Sequence, residues 1–185
     1  MPHNVRSITL TLAILCACLC PASSAVIVRF SPLESVVSVG QQFQVQVRAD
    51  ITNPVLGWGL DVNHASQIIA GNGTPDIGPL WSPGYAPDGD ALAGLAFPSS
   101  ISGSNVLLAT LTFSALNVGE TYLTASITPG DLTEGFPLDP TGFDMVTFEP
   151  AHVTVVPEPA SLLLISLNGL IVFRRRFLPV VAPGV

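Results

Sequence analysis

The chain has 185 residues, of which 48% are apolar, 10% are charged and none is lysine, and its net charge at pH 7 is −7. That length holds one domain with terminal segments to spare. An acidic chain of this kind repels the phosphate backbone, which argues against nucleic acid as a partner. All three cysteines sit at positions 16, 18 and 20, so the body of the protein has no disulfide, no thiol nucleophile and no thiolate metal site.

At the N-terminus, Arg6 precedes an apolar run from Ile8 to Leu19, which Pro21 breaks, and Ser23-Ser24-Ala25 follows with small residues. This is the layout of a secretory signal peptide over residues 1–25, cleaved after Ala25. Acylation of Cys18 or Cys20, as in a lipoprotein, is the alternative. Residues 26–159 then form a stretch of 134 residues, enough to bury about two-thirds of its unfolded surface without staples. Here Arg29 and Arg48 are the only bases against all 13 acids, two against thirteen, which is a local charge of −11. An acidic polysaccharide or a membrane surface is therefore disfavoured unless a divalent cation bridges the two.

The same stretch reads as strands. Phe43 to Ile51 alternates apolar and polar residues over nine positions, the period of a strand with one wet face, and Asn53-Pro54 is expected to end it. Trp58, Leu60 and Val62 alternate with Gly59, Asp61 and Asn63 as a second strand. Val106 to Ala115 is a third, with Leu107, Ala109, Leu111 and Phe113 on the inner face. Asn117-Val118-Gly119 turns the chain into Thr121 to Thr128, where Leu123, Ala125 and Ile127 point inward. Val26 to Phe30, Leu92 to Phe97, Val146 to Phe148 and Val153 to Val155 complete eight or nine. Gly and Pro fall between these runs, and no segment carries apolar residues at helical spacing over three turns. The prediction is an all-β antiparallel sandwich, with residues 71–90 as a long elaborated loop.

Few residues suit catalysis. Past the signal peptide the only histidines are His64 and His152, lysine and cysteine are absent, and no Gly-x-Ser-x-Gly elbow occurs. The inventory points away from an enzyme. Asp88-Gly89-Asp90 with Asp76 upstream could hold calcium, which takes several oxygens from a flexible loop; a solvated acidic turn is the other reading. Trp81 and Tyr85 lie in the Pro/Gly-rich loop and are the candidates to stack on a sugar ring, whereas Trp58 alternates with core positions. Asn72-Gly73-Thr74 is a sequon.

The C-terminus is an ordered series: Pro157-Glu158-Pro159, an apolar run Ala160 to Phe173, then Arg174-Arg175-Arg176. The two prolines keep the motif extended. As a helix the 14-residue run would span about 21 Å at about 1.5 Å per residue, a marginal span of a hydrocarbon core about 30 Å thick. Three arginines hold the far end in the cytoplasm. This series resembles the PEP-CTERM sorting signal of exosortase substrates over residues 157–185, with a tail, Phe177 to Val185, longer than usual. The resemblance implies an exosortase-type processing enzyme as partner, transient inner-membrane anchoring, and release to the cell surface or outside. A plain membrane anchor is the alternative.

Residues 26–156 resemble the cohesin-like sandwich, a relative of cellulose-binding jelly rolls. Val39-Gly40-Gln41-Gln42-Phe43-Gln44-Val45, Trp58 to Val62, Leu107 to Phe113 followed by Gly119, and Ala151 to Val155 carry the match. The positions that bear dockerin contacts in cohesins cannot be placed. Together these readings imply an exported, non-enzymatic surface or matrix protein with a sandwich for adhesion or interaction. A carbohydrate-binding module of a secreted polysaccharide system is the alternative.

Overall fold

Alternation decides the architecture. A computed structural model of the chain describes residues 26–85 and 92–158, and among them every regular element is a strand. In chain order these are β1 (Val26–Ser31), β2 (Glu34–Ser38), β3 (Gln42–Val55), β4 (Gly57–Gly59), β5 (Asp61–Asn63), β6 (Ile69–Gly71), β7 (Asp76–Ile77), β8 (Ser82–Pro83), β9 (Ala93–Leu95), β10 (Ile101–Ala115), β11 (Gly119–Ser126), β12 (Val146–Glu149) and β13 (Ala151–Val156). One layer is the sheet β12-β1-β3-β10-β6, with β7 also on β10. The other comprises β2-β13-β11-β5 and β4-β9-β8. Leu60 alone separates β4 from β5, so these two sheets meet there. Among the described residues no helix is long and apolar enough to cross a membrane. The signal-peptide and C-terminal helix expectations lie outside the described residues.

The core fills the space between the layers. Val45, Val47, Ala49 and Ile51 of β3 are buried, as their alternation predicts, in one cluster with Leu108 of the same layer and with Leu123, Val153 and Val155 of the other. Three strand expectations are corrected first. The strand from Phe43 runs through Asn53-Pro54 to Val55, because Pro54 sits where β10 has slipped out of register and no ladder donor is needed. Trp58 to Val62 is two strands, since β4 pairs with β9 and β5 with β11. In β10 a bulge between Leu107 and Ala109 turns Leu107 outward and leaves Leu108 fully buried, so the inner face runs Val106, Leu108, Ala109, Leu111, Phe113.

The sandwich is not wholly antiparallel. β1 pairs parallel with β12, and β2 pairs parallel with β13. Both chain ends step from the first layer to the second in the same sense, β1 to β2 and β12 to β13, and lie side by side as they do so. Arg29 of β1 and Arg48 of β3 are cross-strand neighbours on the polar outer face of the first layer. Arg29 pairs with Asp50, Asp50 Oδ1 accepts from Asn105 N–H at 2.6 Å, and Arg48 donates to Asn105 O at 2.9 Å. Asn105 takes a left-handed φ of 57° at the β10 irregularity this network closes.

The register is open to test. Val45 is 1% exposed, so Val45→Asp buries an unpaired charge and is expected to destabilise the domain by on the order of 4 kcal/mol. Gln44→Asp, on the wet face, is expected to change stability by less than about 0.5 kcal/mol. Urea titration of both variants reads the difference; equal losses would refute the register.

Candidate functional site

The small sheet β4-β9-β8 carries a groove on its outer face. Trp58 and Gly94 are cross-strand partners with side-chain positions on the inner face, which puts Gly57 and Leu95 on the outer one. Segment 133–137 lies across the sheet: Gly59 and Gly135 exchange two backbone hydrogen bonds of 3.0 and 2.8 Å. A Cβ on Gly59 would stand 2.1 Å from Thr133 O, so only glycine admits this crossing. Between that segment and β8 lies a cavity of about 200 Å³ lined by Gly57, Gly84, Tyr85, Leu95, Leu132 and Pro137, with Trp58 beneath. Leu132 is 80% and Tyr85 75% exposed. Beside Leu132, hydrogen bonds from the Thr133 hydroxyl and amide hold the Asp131 carboxyl below its ordinary value, so it stays ionised near neutral pH. Both arginines of the domain are on β1 and β3, in the other layer. The groove is therefore apolar with an acidic neighbour.

Of the two rings expected to stack on a sugar, only Tyr85 is presented. Trp81 is 6% exposed; it packs edge-on against Trp58 with centroids 6.3 Å apart and donates its indole N–H to Leu107 O at 3.0 Å. Its surroundings in the sequence are those of a loop, but the loop dips between the layers. Trp58 is buried as its alternation implies, and its Nε1 has no hydrogen-bond partner. Asp76 is exposed on β7 opposite Thr110, while Asp88 and Asp90 lie outside the described residues. Among the described residues no three ligating side chains form a metal-binding group. Pro157 and Glu158 are exposed directly after β13; Pro159 and Arg174 to Arg176 lie outside the described residues.

The histidines are structural neighbours of aromatic rings. His152 packs at a tilt against Tyr122, with ring centroids 4.9 Å apart and Nε2 3.5 Å from Glu120. His64 sits edge-on to Phe113 at 5.3 Å beside a second cavity of about 170 Å³. Its Nδ1 is unpaired, and burial lowers its pKa from 6.5. Sequence reasoning missed the segment 132–137, which no strand pattern marks. The available signal was Gly135-Phe136-Pro137, an aromatic between turn formers; Phe136 is fully buried and pins the segment down.

No protein-family model and no curated protein matches the chain. Solved structures do. The chain is similar to a non-cellulosomal cohesin from the hyperthermophilic archaeon Archaeoglobus fulgidus, at 15% identity and TM-score 0.56, over 76% of this chain and 98% of that one. It is similar to the sixth cohesin of scaffoldin B from Acetivibrio cellulolyticus, solved with a dockerin, at 13% identity and TM-score 0.53, over 72% and 100%. A third is the cohesin of a type I cohesin–dockerin complex from Clostridium thermocellum, at 10% identity and TM-score 0.50, over 74% and 97%. At such identities the likeness is one of fold: the described domain is a cohesin-like β-sandwich.

Two outcomes follow from the packing. A Cβ on Gly94 would lie 2.4 Å from Trp58 Nε1 and 3.0 Å from Trp81 Cβ, so Gly94→Ala is expected to cost about 1–3 kcal/mol and to alter the near-ultraviolet signal of both tryptophans. His64, harder to protonate folded than unfolded, favours unfolding as pH falls below 6.5, because the unfolded chain then binds the extra proton. Melting scans from about pH 7.5 to about pH 5.5 should show a loss of stability that His64→Gln reduces.

Proposed function

We propose that this chain is an exported, non-enzymatic interaction module whose cohesin-like sandwich binds a protein partner at the groove over β4, β8 and β9. The observation that carries this reading is the groove itself: exposed Leu132, Tyr85 and Leu95 stand over a floor of glycine backbone. Apolar side chains held open to water beside backbone that a partner can approach closely are what an interface core needs. Two of the similar cohesins were solved with a dockerin, so the fold supports protein recognition. The chemistry of the histidines supports a role without catalysis. His64 stands edge-on to Phe113 and His152 lies beside Tyr122 and Glu120, surroundings of structural histidines rather than of a base paired with a nucleophile.

A sugar-binding module fits less well. Buried Trp81 leaves Tyr85 as a lone platform, and Leu95, Leu132 and Pro137 supply no side-chain donors or acceptors for ring hydroxyls. The order Pro157-Glu158-Pro159, apolar run, three arginines supports sorting by an exosortase-type enzyme, with the domain held at the inner membrane and then delivered to the cell surface or medium. Asp88 and Asp90, with Asp76, remain the residues proposed for calcium, which would be an accessory to this role.

The groove reading is tested with variants that keep the fold. Leu132→Asp and Tyr85→Ala, both at exposed positions, are expected to leave the melting temperature within about 2 °C and to weaken binding of a cross-linked, identified surface partner at least about tenfold. Val36→Asp, 72% exposed on β2, is the control that should not. Retention of a glycan instead, lost in Tyr85→Ala, would favour the carbohydrate reading.

Sorting has its own test. A simple anchor needs apolar length and a basic stop, so Glu158→Ala would leave it unchanged. A processing enzyme that recognises the motif needs the carboxylate, and Glu158→Ala is expected to leave a full-length membrane-held form in the native host. Mass spectrometry of fractionated cells reads the C-terminus; a released wild-type protein intact through Arg176 would sink the sorting reading.

A further inference from the structure

The chain leaves the sandwich at one end, where three uncharged turns meet. Val156 O, on the last residue of β13, accepts from Val39 N–H at 3.0 Å. Glu158 Oε1 lies 4.0 Å from where a Cβ would stand on Gly40, whose φ of 82° favours glycine in this turn. Gly40 N–H donates to Ala115 O at 2.8 Å, Ala115 N–H to Gln41 O at 2.9 Å, and Leu116 N–H to Ile68 O at 2.8 Å. Asn117 Nδ2 donates to Gln67 O at 2.7 Å. Three turns, 38–41, 65–68 and 115–118, are thereby tied to one another and to the exit of the chain. None of these 12 residues is charged, in a stretch whose charge is −11. Leu116 is 43% and Val118 55% exposed, and Gln41, Ser66, Gln67 and Asn117 surround them as exposed uncharged polar groups. Two acids border the patch: Glu158, beside Gly40, and Glu120, two residues after Val118.

We propose that this end is a lipid-facing surface, which rests on the bilayer while the chain is held by its C-terminal segment. The inference rests on reading residues 157–176 as a membrane-anchoring sorting signal. Chain length requires the approach: only Pro159 separates Glu158 from the apolar run that starts at Ala160. Two residue steps reach at most about 7 Å, so the sandwich cannot stand off the membrane. Charge decides which face can approach. An anionic leaflet repels an acidic body over a Debye length of about 8–10 Å, and the uncharged end is the one tethered closest. Leu116 and Val118 enter the headgroup boundary, the amides and hydroxyls around them bond headgroups, and Pro157-Glu158 is set at the interface where a membrane-embedded processing enzyme reaches it.

The test uses the mature chain from Val26 to Val185, which has no cysteine, carrying one added thiol at Val118→Cys or, on the groove rim, at Leu132→Cys. Each is labelled with an environment-sensitive dye and mixed with vesicles of phosphatidylethanolamine and phosphatidylglycerol containing headgroup spin-labelled lipid. The expected result is co-sedimentation of both, with the label at 118 blue-shifted and quenched several-fold more than the label at 132. Co-sedimentation with equal, solvent-like signals at both sites would overturn the lipid-facing surface and leave the anchor standing. Failure of both to co-sediment would overturn the anchor and the surface with it.

Discussion

The bulge at Leu107–Leu108 is the irregularity on which the groove side of this molecule depends. A regular β10 would turn Leu107 inward and keep its carbonyl in the ladder with β3. The extra residue instead buries Leu108, and both carbonyls of the bulge meet residues 78–81. Leu108 O takes the N–H of Gly78, and Leu107 O takes the indole N–H of Trp81. A Cβ on Gly78 would stand 2.2 Å from Leu107 O, so glycine is required for the approach. These bonds draw residues 78–81 against the first layer and place Trp81 in the core beside Trp58. The chain that follows emerges as β8 on the second layer, with Tyr85 at the edge of the groove.

The groove is thus assembled from absence as much as presence. Gly57, Gly59, Gly84 and Gly94 leave backbone where side chains would stand; Gly59 admits the crossing of 133–137, and Gly94 admits the ring of Trp58. The apolar side chains that remain, Leu95, Leu132 and Tyr85, are exposed because no element of the described domain covers them. Burying such groups at about 25 cal/mol per Å² of apolar surface is the main gain open to a partner.

Charge is segregated with the same economy. Both arginines are consumed in a network with Asp50 and Asn105 on the outer face of β3. Asp131 sits near the groove, and the uncharged turns gather where β13 ends. The parallel pairing of β2 with β13 brings Ser38 opposite Val156, which places the β2–β3 turn beside the exit of the chain. The domain is acidic, and its uncharged turns lie at the exit of the chain beside Glu158.

Sequence alone determined the elements that carry long alternation. Phe43 to Ile51, Thr121 to Ala125 and the pair Trp58–Leu60 face the core as their period requires, because a strand buried on one face must repeat every two residues. It also determined the sandwich class and the inventory that argues against catalysis. Tertiary structure decided the rest. β6, β7 and β8 have two or three residues each, too few for a period to register, and exist only because β10 and β9 offer them partners. The parallel pairs depend on where distant chain ends meet, which local pattern does not encode. Trp81 and Tyr85, four residues apart in one loop, were equivalent in sequence; a hydrogen bond to a carbonyl 26 residues away buried the first and left the second at the surface.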